Sequence, residues 1–75
     1  MTVKEFHEEM CTSEIERYID RKTNTRFTLD YSEHHNNDEW EIGWKTYQAN
    51  LEKKVVSVWA MVDKSGKAVL VAEYQ

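Results

Sequence analysis

The sequence predicts an α+β fold, with a short N-terminal helix packed on a small antiparallel sheet made of two β-hairpins. Three observations point there. An amphipathic stripe follows a capping pattern at the N-terminus, an alternating apolar segment comes next, and two β-rich runs flank a glycine turn at the C-terminus. Seventy-five residues without proline, repeat or low-complexity stretch make one domain, residues 1–75. A chain this short buries only about 60% of the surface it exposes when unfolded, so its stability is marginal.

The helix comes first. Thr2 is followed three residues later by Glu5, a capping-box pattern in which each side chain satisfies the other residue's backbone N–H. Val3, Phe6 and Met10 then repeat at helical spacing. Residues 3–11 therefore read as a short amphipathic helix. It is too short to persist alone, so its apolar stripe must lie on a sheet.

Residues 14–31, EIERYIDRKTNTRFTLDY, admit two readings. Ser13 and Glu16 suit the cap of a second helix, with Ile15, Tyr18 and Ile19 at helical spacing. RFTLDY alternates instead, placing Phe27, Leu29 and Tyr31 on one face. A three-residue loop at Lys22–Thr23–Asn24 puts Asn24 where φ is positive, which Asn tolerates well. That register pairs Ile19 with Phe27 and Ile15 with Tyr31 on a common face. Loop and pairing agree, which favours the hairpin.

Residues 38–53, DEWEIGWKTYQANLEK, combine two periods. Trp40, Trp44, Tyr47 and Leu51 fall on a helical stripe, while Trp40, Ile42 and Trp44 alternate like a strand. Gly43 weakens both patterns. The expectation is a short strand-like EWEIGW followed by a second short helix around residues 45–53. The preceding SEHHNND reads as a solvated turn, since Ser, Asn and Asp favour turns.

The last third is the clearest. VVSVWAMVDKSGKAVLVAEY holds two β-rich runs joined at Asp63–Gly66, with Gly66 at a left-handed turn position. Closing the loop there pairs Met61 with Val69 and Trp59 with Val71. The opposite face holds Val56, Val58, Ala60, Val62, Ala68, Leu70 and Ala72. Both faces are apolar, so this hairpin is expected to be central and covered on two sides. Trp59 is expected in the core.

Charge is unevenly placed. Residues 1–43 carry eleven Asp/Glu against five Lys/Arg, and residues 44–75 carry three against five. An acidic domain without a basic cluster is poorly suited to neutralising phosphates, so direct nucleic-acid binding is not expected. Cys11 stands alone, which excludes an internal disulfide and suits a reducing compartment. The N-terminus carries acids and lacks the apolar core of a secretory signal. No apolar run reaches the roughly 20 residues of a membrane helix. A soluble cytoplasmic protein is the expectation.

Metal and catalytic chemistry find weak footing. His34, His35 and Asp38 lie close together, with His7 a further candidate, but adjacent histidines on an extended chain point apart. The spacings of a zinc site are absent. Serines 32, 57 and 65 lack a nucleophile-elbow context, and two glycines leave no phosphate-cradling loop. Neither a cofactor nor a catalytic residue is expected. A small metal-dependent nuclease using His34, His35 and Asp38 is the enzymatic alternative.

Protein binding has positive support. Three tryptophans and four tyrosines are more than so small a core readily hides, and these residues dominate interface energetics. Trp40, Trp44 and Tyr47 beside acidic residues suggest an apolar anchor with a charged rim; the competing reading puts Trp40 or Trp44 in the core. The candidate rim is Glu5, Glu8, Glu9, Glu14, Glu16 and Asp20, with Asp38, Glu39 and Glu41. The expected partner is a protein, and a basic nucleic-acid-binding one fits the charge. The structural alternative is self-association into a homodimer through the uncovered hairpin face or its outer strand.

The opening MTVKEF, followed by an acidic short helix and strands without a cofactor motif, resembles small proteins encoded by phages and mobile elements of low-GC bacteria. Anti-CRISPR inhibitors are one class among them. The resemblance rests on six residues plus size and acidity, and it carries over no functional residue. It implies a protein that works by occupying a surface of a host nucleic-acid-handling complex, where its acidic half mimics nucleic acid.

Overall fold

The N-terminal capping box forms as the sequence predicts. In the computed structural model, which describes residues 1–10, 14–31 and 38–75, the Thr2 N–H donates to Glu5 Oε1 at 2.9 Å and the Glu5 N–H to Thr2 Oγ1 at 3.2 Å. Helix α1 runs Val3–Met10 and buries Val3 and Phe6, with Met10 packed against the same core. Cys11 and residues 32–37, which include His34 and His35 and the expected solvated turn, lie outside the described residues.

Four strands follow: β1 (Ile15–Asp20), β2 (Thr25–Asp30), β3 (Val55–Val62) and β4 (Ala68–Tyr74), in the spatial order β2-β1-β4-β3. β1 with β2 and β3 with β4 form antiparallel hairpins, but β1 and β4 pair in parallel, so the sheet is mixed rather than antiparallel. The two hairpins meet through their inner strands. Helix α2 (Asp38–Ala49) lies in the connection that carries the chain from one edge of the sheet to the other. The α+β class holds.

The first hairpin is displaced by one residue from the expected register. Its pairs are Asp20↔Thr25, Tyr18↔Phe27 and Ile15↔Asp30, and its loop is Arg21–Asn24. The Asp20 carboxylate accepts the Lys22 N–H at 2.9 Å, and the Asp20 carbonyl accepts the Asn24 N–H at 2.7 Å. The turn therefore starts at Asp20, with Asn24 at φ 56° as expected. A one-residue slip exchanges the faces of a strand. Tyr18 and Glu16 join Phe27 and Leu29 under the helices, while Ile15 and Ile19 go to the other side.

The terminal hairpin keeps the expected register, with Met61 opposite Val69 and Trp59 opposite Val71. Asp63 Oδ1 accepts from the Ser65 N–H, the Ser65 hydroxyl and the Lys67 N–H at 2.8–2.9 Å, and Gly66 takes φ 86°. These bonds hold the Asp63 carboxyl below its ordinary range, the Lys67 N–H contributing most. The hairpin is not central, however. Strand β4 is internal, but β3 is an edge, and Trp59 is 42% exposed rather than in the core.

The main core lies between the sheet and both helices and includes Val3, Phe6, Tyr18, Phe27, Leu29, Tyr47, Ala72 and Tyr74. On the opposite face Ile15, Val69 and Val71 form a second buried cluster, with Ile19 packed against it. On this face the Arg17 guanidinium reaches across β4 to Met61 Sδ at 3.9 Å.

EWEIGW is helical, not strand-like. Asp38, Glu39 and Glu41 fill the first turn of α2, where carboxylates complement the helix dipole. Gly43 is explained by a close approach to β2: a Cβ there would sit 2.6 Å from the Thr28 carbonyl oxygen. The Tyr31 N–H bonds the Glu14 carbonyl, and alternate residues turn their polar groups toward β1, so the Thr28 carbonyl points out of the sheet edge. Helix α2 thus covers that edge. No described helix is long and apolar enough to cross a membrane.

Candidate functional site

The slipped register carries Glu16, a residue with the pattern of a surface acid, into the interior. It is fully buried. Helix α1 delivers His7 above it, and His7 Nδ1 lies 2.7 Å from Glu16 Oε1 and 3.1 Å from Oε2. An ionised carboxylate only accepts, and this contact then takes the tautomer that carries the proton on Nδ1. The Tyr18 hydroxyl donates to Oε1 at 2.9 Å and the Tyr31 hydroxyl at 3.3 Å. Among the described residues no buried side-chain polar atom lacks a partner. A buried carboxylate is tolerable only when surrounded in this way.

This node contains an imidazole oriented by a carboxylate, two parts of an acid–base arrangement. The neighbouring hydroxyls donate to the same carboxylate. Burial, reinforced by the Glu16 charge and hydrogen bond, pushes the Tyr18 hydroxyl far above the ordinary phenol range, so it remains a donor. The groups are committed to one another, and the arrangement fixes α1 against β1. Among the described residues, no group of three or more His, Cys, Asp or Glu could hold a metal ion.

Aromatic rings extend outward from the node. His7 lies 4.7 Å from the Tyr47 ring and 6.0 Å from the Trp44 ring, centroid to centroid. Trp44 meets Tyr47 at 5.2 Å and stacks on Trp40 at 6.1 Å, and Trp40 meets Tyr31 edge-on at 5.1 Å. The spacing of Trp40, Trp44 and Tyr47 along α2 brings all three together, but at different depths. Tyr47 is buried in the core, Trp40 is half-buried against it, and Trp44 remains 37% exposed at the seam between the helices. The surface-accessible part of the expected anchor is Trp44, with the margin of Trp40.

The acids separate in the same way. Glu5, Glu8 and Glu9 on α1, and Asp38, Glu39 and Glu41 on α2, are exposed, with Lys4 and Lys45 as cations on the same helices. Thr2 hydrogen bonds, chiefly from its backbone, hold the Glu5 carboxyl below its ordinary range. Glu14 is exposed beside β1, and Asp20 is half-buried with its carboxylate on the Lys22 N–H. Glu16 is corrected outright. Its carboxylate is enclosed by His7, Tyr18 and Tyr31 and has no access to a partner's surface.

Two features escaped the sequence pattern. The Glu16 node depends on the one-residue slip, and its only local sign is Glu16 alternating with Tyr18. The second is β3, where Val56, Val58, Trp59, Met61 and Val62 are all exposed. No family model, curated protein or solved structure matches the chain.

Proposed function

We propose that this chain is a non-catalytic protein-binding module that occupies a basic surface of a nucleic-acid-handling partner, as an inhibitor of the kind phages and mobile elements encode. One observation carries the reading. The half-exposed Trp44 sits at the seam of two helices whose outward faces carry Glu5, Glu8, Glu9, Asp38, Glu39 and Glu41. An aromatic anchor within a rim where acids outnumber cations has the chemistry of an electrostatically guided interface. Tyr47 and Trp40 support the anchor from beneath and hold its ring in place.

The test compares the wild-type chain with Trp44→Ala and with the double charge reversal Glu8→Lys, Glu9→Lys as baits in a lysate of the native host. A basic, nucleic-acid-handling protein retained by the wild type and lost from both variants supports the reading. Once that protein is in hand, Trp44→Ala weakens its binding by about 30-fold or more, as truncation of an interface hot spot does. The charge reversal slows association and flattens its salt dependence. Equal retention by all three baits would sink the proposal.

A further inference from the structure

The outer strand β3 is the most exposed apolar element of the protein. Among the described residues, five of the eight large hydrophobics that stand exposed belong to it, and Val62 is 67% exposed. No residue from Val55 to Val62 carries a charge. Edge strands are normally blunted by inward charges, prolines or a covering element, because their open N–H and C=O groups accept another strand. At its start β3 is blunted: the Val55 N–H donates to the Met1 carbonyl at 2.9 Å, and Thr2 bridges Lys54. From Val56 onward no described residue covers it.

We infer that this edge pairs with a second copy of the chain, in antiparallel register about a two-fold axis at Ala60. The Asp63 N–H bonds the Lys67 carbonyl, so Asp63, Met61 and Trp59 turn their backbone groups toward β4. Val58, Ala60 and Val62 therefore turn theirs to the open edge. Centring the axis on Ala60 pairs Val58 with Val62 of the partner subunit and Ala60 with Ala60 of the partner subunit, each exchanging both backbone hydrogen bonds. On the face away from the helices Trp59 meets Met61 of the partner subunit, a sulfur–aromatic contact made twice by symmetry.

The register centred one residue earlier is worse. Moving the axis to Trp59 sets Asp63 of the partner subunit against Val55, where Met1 already occupies the edge, and sets Lys54 against Lys64 of the partner subunit. Over residues 55–65 the Ala60 register opposes no like charges. The other sheet edge is closed, since α2 lies on it with Gly43 against the Thr28 carbonyl. One open edge and one covered edge give a closed pair and not a fibre. This inference does not depend on the partner-binding surface of the helices: α2 packs on β2 at the far edge, and α1 packs on β4, with Met1 and Thr2 meeting the chain at the start of β3.

Sedimentation of the full chain across a dilution series tests it, with cysteine cross-linking to read the register. The expected species is twice the 9.0 kDa chain at about 100 μM, and Val62→Lys raises its dissociation constant by about 10-fold or more. In a Cys11→Ser background, Ala60→Cys places two thiols across a hydrogen-bonded pair with Cα atoms about 5.5 Å apart, within disulfide range. Ala60→Cys is expected to cross-link under mild oxidation, and Ser57→Cys is not. Circular dichroism of the variants separates loss of pairing from loss of fold. A wild-type monomer at every concentration overturns the inference and leaves the edge to a strand of another protein. A dimer insensitive to Val62→Lys, with no Ala60→Cys cross-link, overturns it equally.

Discussion

Replacing Glu16 tests the internal architecture most sharply. In Glu16→Ala the His7 imidazole loses a charge-assisted hydrogen bond of 2.7 Å, a loss of about 1.5–3 kcal/mol. The buried Tyr18 hydroxyl loses its acceptor at 2.9 Å, and a stranded buried donor costs about 1–3 kcal/mol. Together these agree with the roughly 3–5 kcal/mol that follows removal of one member of a buried pair. A 75-residue chain has an unfolding entropy of about 0.16 kcal/mol/K, so a loss near 4 kcal/mol lowers Tm by about 25 °C. The total stability of such a chain is only about 4–11 kcal/mol, so the alanine variant approaches unfolding at ambient temperature. Glu16→Gln keeps the shape and one acceptor oxygen, and its cost is about 1–2 kcal/mol, or about 6–12 °C. Thermal unfolding followed by circular dichroism measures both. An alanine variant melting within about 5 °C of the wild type would refute the argument, because a carboxylate so placed cannot be removed at little cost.

Three further outcomes follow from particular contacts. Gly43→Ala gains about 1 kcal/mol of helix propensity but drives a Cβ to 2.6 Å from the Thr28 carbonyl, an overpacking of about 1–3 kcal/mol; a net loss in chemical denaturation is expected, and a gain of about 1 kcal/mol would show that α2 does not lie on that edge. The Asp63 and Glu5 carboxyls titrate below their ordinary values, so their contribution is complete above the unfolded pKa and drains as pH falls through the folded one; Asp63→Asn should flatten the acid limb of a stability–pH curve, and an unchanged limb would contradict the turn geometry. Trp44→Ala should leave a folded chain by circular dichroism, because the core beneath is closed by Tyr47 and Trp40; collapse of the fold would move Trp44 from the surface to the core.

Local chemistry was legible in the sequence. The Thr2–Glu5 capping box, Asn24 at positive φ, the Asp63–Gly66 turn and the Trp59↔Val71 register are all decided by residues a few positions apart. Long-range geometry was not. The parallel pairing of β1 and β4 joins residues more than fifty positions apart, and nothing local announces it. The register of β1 with β2 hinged on whether Asp20 or Arg21 ends the strand, and the Asp20 carboxylate decides it by taking the Lys22 N–H. That single step turned Glu16 from an apparent rim acid into the buried centre of the helix–sheet contact. Gly43 counted against a helix until its neighbour, the Thr28 carbonyl, was known. The candidate site was half visible: the α2 spacing brought Trp40, Trp44 and Tyr47 together, but their depths depend on α1 and on His7.

The central claim is that Trp44 and the acids around it form the surface a partner recognises. Affinity capture from native-host lysate, read by quantitative mass spectrometry for wild type against a folded Trp44→Ala variant, addresses it most directly. One basic, nucleic-acid-handling protein is expected to be enriched on the wild type and depleted at least tenfold on the variant. Equal recovery on both baits, or enrichment of an acidic protein instead, would contradict it.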